Sequence, residues 1–498
     1  MSPRGVLSGE WRRCCWPHAS RTLGADPGDV EGSKDLNIIV VSTDSLRVDH
    51  LGAYGSAVRT PNFDRFAQEG TLFRHAYSEN LPTVPTRTVW WTGRYQSPFR
   101  GWQPLESTDY VLAEILWDRG YTSALVTDTY HLHKPVFNFG RGFDDVRFVR
   151  GQEYDPWIID REITVDPTKH HKLRGDASDA MWQPRFEQYL RNVSGRKSEA
   201  DYSARRVTTA AVEWLQQATQ RQKDGLFLWV DYFDPHEPWD PPPGYAAPYH
   251  DSAYQGTDIW DPVPGDVAGY LTPEEVAHIK ANYAGEVTFV DACVGTLLDE
   301  VRRLGLDEQT LVMWVSDHGE PFGEHGIIRK ARPWLYEELV HIPWIVRLPG
   351  EVGAGRTVDA LVQPTDLLPT ILDLLGIETP LTLPYVAPRR GPLVFPQDVV
   401  QDRRSVALTG KSLLPLLRGE SDHVRDFALV GMHNQQWALY SQDWAYLHTL
   451  DERQRAPELY DRRRDLAQQH NVLADHSALA RDLELEMRRF VAQLRDQS

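Results

Sequence analysis

Four apolar runs, each closing on an aspartate, constrain the fold of this chain more than any other feature. They are LNIIVVS leading into Thr43-Asp44, YTSALVTD ending at Asp128, LFLWVDYFD ending at Asp234, and TLVMWVS leading into Asp317. Each is short, nearly continuous in apolar character and rich in β-branched residues, as a strand buried on both faces of a parallel sheet must be. Helical patterns separate them: Asn62 to Gly70, with Phe63 and Phe66 on one face, then Ser107 to Asp118, then Asp201 to Thr219. A longer one opens on the capping box Thr272-Pro273-Glu274-Glu275 and runs to about Arg303. IPWIVRLP reads as a further strand, and PTDLLPTILDLLG as a helix stopped by Gly376. This alternation predicts an α/β fold with a large, mainly parallel sheet flanked by helices. In such sheets the ligand crevice lies beyond the carboxyl ends of the strands. One aspartate there is ordinary turn chemistry. Four, each preceding an unusual loop, predict a site along one sheet edge.

The organisation expected around that sheet has three parts. Residues 1–35 read as a disordered extension, 36–390 as the catalytic α/β domain, and 391–498 as a smaller α+β subdomain. The last is built from FALVGM, WALYS, WAYLHTL and a helix from Ser477 to Leu494, behind a proline-rich connection over 377–404. Between about Tyr130 and Ala200 periodicity fades, as in an insertion over the sheet. The formal net charge of -18 argues against a general nucleic-acid binder. It also makes any basic residue near the site more informative. Cys14, Cys15 and Cys293 form no disulfide framework, and neither a secretory leader nor an apolar run long enough to span a membrane is recognised, so the expected location is cytoplasmic.

The stretch Leu81–Arg94, LPTVPTRTVWWTGR, carries the chemistry. Thr83 opens a helix and can cap it, Pro85 falls in the first turn, and Gly93 stops it. Free N–H groups at a helix start favour an anion there, and Arg87 lies one turn on. A threonine hydroxyl stays protonated at neutral pH, so Thr83 acts as a nucleophile only beside a metal ion. Asp317-His318-Gly319-Glu320 at a strand end offers carboxylate and imidazole for a divalent ion, and Asp44 holds the equivalent place on the first strand. Asp234-Pro235-His236-Glu237-Pro238 holds an imidazole rigidly past another strand, where it can bind an oxyanion or protonate a leaving alcohol. His325, in Gly323-Glu324-His325-Gly326, and then Lys330 follow. Taken alone, each of these is ordinary loop or surface chemistry; Trp239 and Trp260 of the aromatic loop after Asp234 read as packing residues.

Together the motifs resemble the sulfatase family, within the alkaline-phosphatase-like superfamily, from Leu36 to Leu494. Thr83-Val84-Pro85-Thr86-Arg87 with Thr92-Gly93-Arg94 fits its signature, C/S-x-P-S/T-R followed by T-G-R, except at the first position. DSLRVDHLGAYG at Asp44, SDHGE at Asp317, GEHG with Lys330, Tyr336 and Glu337, and ELYD at Glu458 also look like landmarks of that family. The resemblance implies a metal held by Asp44, Asp317 and His318 and touching Thr83. It implies Arg87, His236, His325 and Lys330 around the anionic group. Three departures stand out. The family converts cysteine or serine to formylglycine, so none is expected at Thr83. Ser45 stands where a second aspartate is often found. No basic residue follows the TGR turn directly, Arg100 being nearest.

These residues imply a metal-dependent hydrolase of sulfuric or phosphoric esters, with a lean towards phosphomonoesters and phosphodiesters. Threonine is the nucleophile in the related nucleotide pyrophosphatase and phosphodiesterase branch, where two metals act, and there Asp234 and His236 would hold the second. The alternatives are a formylglycine-independent or degenerate anion-binding protein, and a phosphoryl or sulfuryl transferase. Zinc or manganese is favoured over calcium by the histidine ligand. The expected substrate is a small-molecule, glycan or lipid anionic ester.

Overall fold

A computed structural model describes residues 36–330, 335–379, 381–382, 405–406, 408–433, 435–449 and 456–496. The expected extension over 1–35 and the domain boundary at 390/391 lie outside the described residues. Eight strands form the central sheet: β1 Asn37–Thr43, β2 Thr71–Tyr77, β3 Thr122–Thr127, β4 Asp145–Phe148, β5 Leu226–Tyr232, β6 Thr310–Ser316, β7 His341–Arg347 and β8 Arg356–Val362. Their order is β8-β2-β7-β6-β1-β5-β3-β4. All neighbours are parallel except β7, which runs antiparallel to β2 and β6. The mainly parallel sheet expected from the apolar runs is therefore present.

Helices cover both faces. The helices of eight residues or more among the described residues are α1 Pro61–Glu69, α2 Thr83–Thr92, α3 Asp179–Val193, α4 Ser203–Thr219, α5 Pro273–Arg303, α6 Leu367–Leu374 and α7 Ser477–Asp496. Ile39 and Val41 of β1 pack with Phe63 and Phe66 of α1, Leu215 of α4 and Val294 of α5. Ile38 and Val40 face the other way, onto Val84, Trp90 and Trp91 of α2 and Leu367 of α6. Every residue of β1 is buried, which is why its sequence shows no alternation. Each such Val or Ile contributes roughly 1.5–3 kcal/mol of transfer free energy. The capping box at Thr272 forms as read: Glu275 N–H donates to the Thr272 hydroxyl at 3.2 Å, and Thr272 N–H to Glu275 Oε2 at 2.8 Å.

The strands β2, β4 and β8 have no counterpart among the predicted runs. β4 and β8 are the sheet edges, and all three carry exposed or half-exposed polar residues that break up the apolar pattern. The helix expected over Ser107 to Asp118 is shorter, Leu112–Trp117. The Asp109 carboxylate accepts from Glu106 N–H at 2.7 Å, a local bond that competes with helix formation.

A second, antiparallel sheet follows: β9 Phe427–Met432, β10 Gln436–Ser441, β11 Trp444–Thr449 and β12 Glu458–Asp461. Met487, Val491 and Leu494 of α7 pack on Leu429 and Leu439 of this sheet. Tyr440 stacks on Tyr77 of β2 at 4.8 Å and joins the two sheets. Among the described residues no helix is long and apolar enough to cross a membrane.

Candidate active site

Register builds the centre of the site. Thr43 of β1 pairs with Ser316 of β6, so the next residues, Asp44 and Asp317, leave adjacent strands at the same level. Asp44, Asp317 and His318 are fully buried and offer ligand atoms within 4.8 Å of one another. His318 Nδ1 lies 2.8 Å from the Gly319 carbonyl, which can only accept, so Nδ1 carries the proton and Nε2 the lone pair. Nε2 stands 3.7 Å from Asp44 Oδ1 and 3.5 Å from Asp317 Oδ2 without a hydrogen-bond partner. Burial holds the ring neutral by pushing its pKa down to about 4. A buried lone pair facing two carboxylate oxygens fits a cation between them, and the set of two oxygens and one nitrogen fits a divalent metal. Burial, then the Asp317 charge, raises the Asp44 carboxyl above its usual value, and Arg87 opposes the shift.

Thr83 is the first residue of α2, and Pro82, not Thr83, sits at the cap position. The hydroxyl of Thr83 is therefore not spent on capping. Thr86, Thr88 and Thr92 of the same helix donate to the carbonyls of Asn80, Val84 and Thr88. Among the described residues nothing hydrogen-bonds the Thr83 hydroxyl. One turn on, the fully buried Arg87 reaches Asp317 Oδ2 at 2.6 Å, Asp44 Oδ2 at 3.1 Å and Asp231 Oδ1 at 3.0 Å. Asp231, which sequence reasoning missed, is the anchor of this guanidinium. It also accepts from Ser42 at 2.6 Å, from Thr127 at 2.9 Å and from Thr129. A carboxylate inside a fully buried strand must be neutralised, and that was the available signal.

Lys330 and His236 approach from the other side. Lys330 Nζ lies 3.3 Å from the Ser45 hydroxyl, which donates to Asp44 Oδ1 at 2.9 Å. Ser45, with φ of 61°, thus links the lysine to the metal ligands. Lys330 also meets Glu237 at 3.4 Å and Glu320 at 3.3 Å. Burial alone would lower its pKa, but Glu237, Glu320 and Asp44 raise it above the usual lysine value. Burial pushes the Glu320 carboxyl up to about 8. His236 Nδ1 donates to the Glu237 carbonyl at 2.7 Å, leaving Nε2 as acceptor, and burial lowers its pKa to about 4. Glu237 and Arg329, also missed, form a buried pair beside it, completed by Asp261 at 2.7 Å from Arg329.

Other expected members stand elsewhere. His325 is held by Glu338 at 2.7 Å and the Gln468 carbonyl at 3.0 Å, and stacks on Tyr336. Both of its ring nitrogens are committed to the junction with the small sheet, so it does not face the anion position. Tyr336 bonds Glu458 at 2.8 Å, so GEHG and ELYD are joints between the two units. Asp234 does not pair with His236 as a second metal site. It accepts from Gln152 Nε2 at 2.6 Å, and the same amide reaches Asp128 at 3.4 Å. The four strand-end aspartates thus divide into two pairs, each on adjacent strands. Arg100 is tied to Asp109 through two bonds of 2.8 Å, and so does not replace the missing basic residue after the TGR turn. Trp239 is buried, and Trp260 stacks on His170, as packing residues do.

Comparison with known proteins identifies the family of this fold. The sulfatase family model matches residues 36–377. An arylsulfatase of Clostridium perfringens is 25% identical over 389 residues, 69% of this chain and 76% of the relative. An N-acetylglucosamine-6-O-sulfatase of Bacteroides thetaiotaomicron is 25% identical over 403 residues, 70% of this chain and 69% of the relative. Among solved structures, a phosphonate monoester hydrolase of Agrobacterium radiobacter superposes with a TM-score of 0.68 at 22% identity, covering 93% of this chain and 96% of that one. The chain belongs to the sulfatase family of ester hydrolases.

Proposed function

We propose that this hydrolase works through Thr83 as nucleophile and that phosphate esters are its favoured substrates over sulfate esters. The observation that carries the reading is the Thr83 hydroxyl, which alone among the four threonines of α2 is left unbonded, at the helix start beside Arg87. A formylglycine hydrate expels sulfate by collapsing to the aldehyde. A threonine ester has no such exit and is released by direct attack of water, which suits phosphorus better.

Thr83 Oγ1 attacks the phosphorus in line, and the bond to the leaving oxygen breaks. The hydroxyl proton leaves Thr83 and the departing oxygen gains one. His236, neutral and with Nε2 open, is the residue offered to carry it. Arg87 and Lys330 balance charge on the transferred group. Water then cleaves the threonine phosphoester and restores the hydroxyl. Asp44, Asp317 and His318 would hold a divalent ion, which supplies Lewis acidity and lowers the hydroxyl pKa. Two carboxylates and a neutral imidazole favour zinc or manganese over calcium, which prefers six to eight oxygen ligands.

The test is turnover of 4-nitrophenyl phosphate, bis(4-nitrophenyl) phosphate and 4-nitrophenyl sulfate with zinc, manganese or calcium. Phosphate ester turnover, lost by at least about 10³-fold in Thr83→Ala and on chelation, is the expected result. Turnover of the sulfate ester alone refutes the phosphate preference. Activity retained in Thr83→Ala refutes the nucleophile.

A further inference from the structure

A line of cations and aromatic rings leads from the catalytic lysine to the surface. Glu237 bonds both Lys330 and Arg329. Arg329 lies 4.7 Å over the ring of Trp182. On the same α3 helix, Arg185 lies 4.9 Å over Trp182 and 4.6 Å over Tyr154. Tyr154 meets Tyr130 edge-on at 5.7 Å, and Lys134 Nζ caps Tyr130 at 4.5 Å. The carboxylates beside this line already have partners. Glu153 is bound by His131 at 2.8 Å, and Asp261 and Glu237 by Arg329.

Among the described residues neither Lys134 nor Arg185 meets a carboxylate or donates a hydrogen bond. In a chain of net charge -18 an unpaired cation is conspicuous, and here two stand at either end of one edge-on pair of tyrosines, Tyr130 and Tyr154. Two rings, 4.6 and 4.9 Å from the Arg185 guanidinium carbon, hold it in place, while none of its N–H donors is spent on a hydrogen bond among the described residues. A guanidinium held against aromatic rings with unspent N–H donors is suited to two-pronged binding of a sulfate, phosphate or carboxylate.

We propose that Arg185 and Lys134 form a subsite for a second anionic group, carried on the leaving group of the substrate. This rests on the esterase reading above, because it takes the line beyond His236 and Glu237 as the leaving-group side. The substrate class is then a multiply charged ester, with a further sulfate, phosphate or carboxylate beyond the one attacked. The segment that the sequence marks as an insertion, from Tyr130 to Ala200, supplies both cations and three of the rings. It would thereby set specificity without touching the reacting atoms.

The experiment is calorimetric binding of sucrose octasulfate and of inorganic sulfate to the metal-loaded Thr83→Ala protein, with and without Arg185→Gln and Lys134→Gln. Both cations are partly exposed, so the variants are expected to fold, with unfolding midpoints unchanged. The octasulfate is expected to bind about tenfold or more weakly in the double variant, with inorganic sulfate binding within twofold of the parent. Octasulfate affinity that is unchanged, absent in the parent, or reduced in equal proportion to that of sulfate overturns the subsite. Binding is read without turnover, so failure of the wild-type protein to hydrolyse any ester would count against the esterase reading alone.

Discussion

Replacing Arg87 by methionine separates the structural and electrostatic roles of the buried cluster. In the folded chain one guanidinium stands 2.6–3.1 Å from carboxylates of Asp317, Asp231 and Asp44, all fully buried. At an effective dielectric of about 20, each such contact has a gross Coulomb energy of roughly 5 kcal/mol. Desolvation cancels most of it, and removing one partner from a buried ion pair costs about 3–5 kcal/mol net. That is the loss expected at pH 8 in chelator, where Asp44 and Asp317 face each other without a cation. A divalent ion between them takes over the role of Arg87 for those two. Asp231 then remains, but hydroxyls of Ser42, Thr127 and Thr129 still donate to it. The loss with saturating zinc or manganese should fall to about 1.5–3 kcal/mol, one buried charged hydrogen bond. Urea unfolding followed by tryptophan fluorescence measures both values. An equal loss with and without metal refutes the shared cluster.

Two more outcomes follow from the same geometry. The His236 and His318 rings have pKa values near 4 in the folded chain against 6.5 when free, so only the unfolded chain takes up their protons between those values. The contribution of these two rings to the stability of the chelated protein should therefore be lost as pH drops from about 6.5 to 4, by up to roughly 3 kcal/mol per ring, while buried carboxyls such as Glu320, whose pKa is raised, act in the opposite sense. Urea titrations of the wild type and His236→Gln at half-unit pH steps test this, and a stability difference between the two that stays constant from about pH 7 to 4 refutes it. His325→Ala should lower the unfolding midpoint, since it breaks the Glu338 and Gln468 bonds, yet cost less than about tenfold in kcat/KM on 4-nitrophenyl phosphate. A loss near that of Thr83→Ala would place the ring back at the anion.

What could be read from the chain depended on whether the physics was local. β1, β5 and β6 are buried on both faces, so their composition alone marks them. The capping box at Thr272 is complete within four residues and formed as read. Strand order is not local, and it decides which aspartates meet. Asp44 and Asp317 converge because β1 and β6 are neighbours in register, while Asp128 and Asp234, offset by two residues, share Gln152 because β3 and β5 are adjacent. Nothing in four similar strand ends distinguishes the pairs. The family resemblance put His325 beside the anion, but its partners, Glu338 and Gln468, lie thirteen and 143 residues away. Asp231 shows the converse. Its charge inside an apolar run required a neutralising partner, and Arg87, which the sequence reading gave only to the anion, supplies it. Burial therefore identifies an unsatisfied charge before any fold is known, whereas the identity of its partner follows only once the strands are ordered.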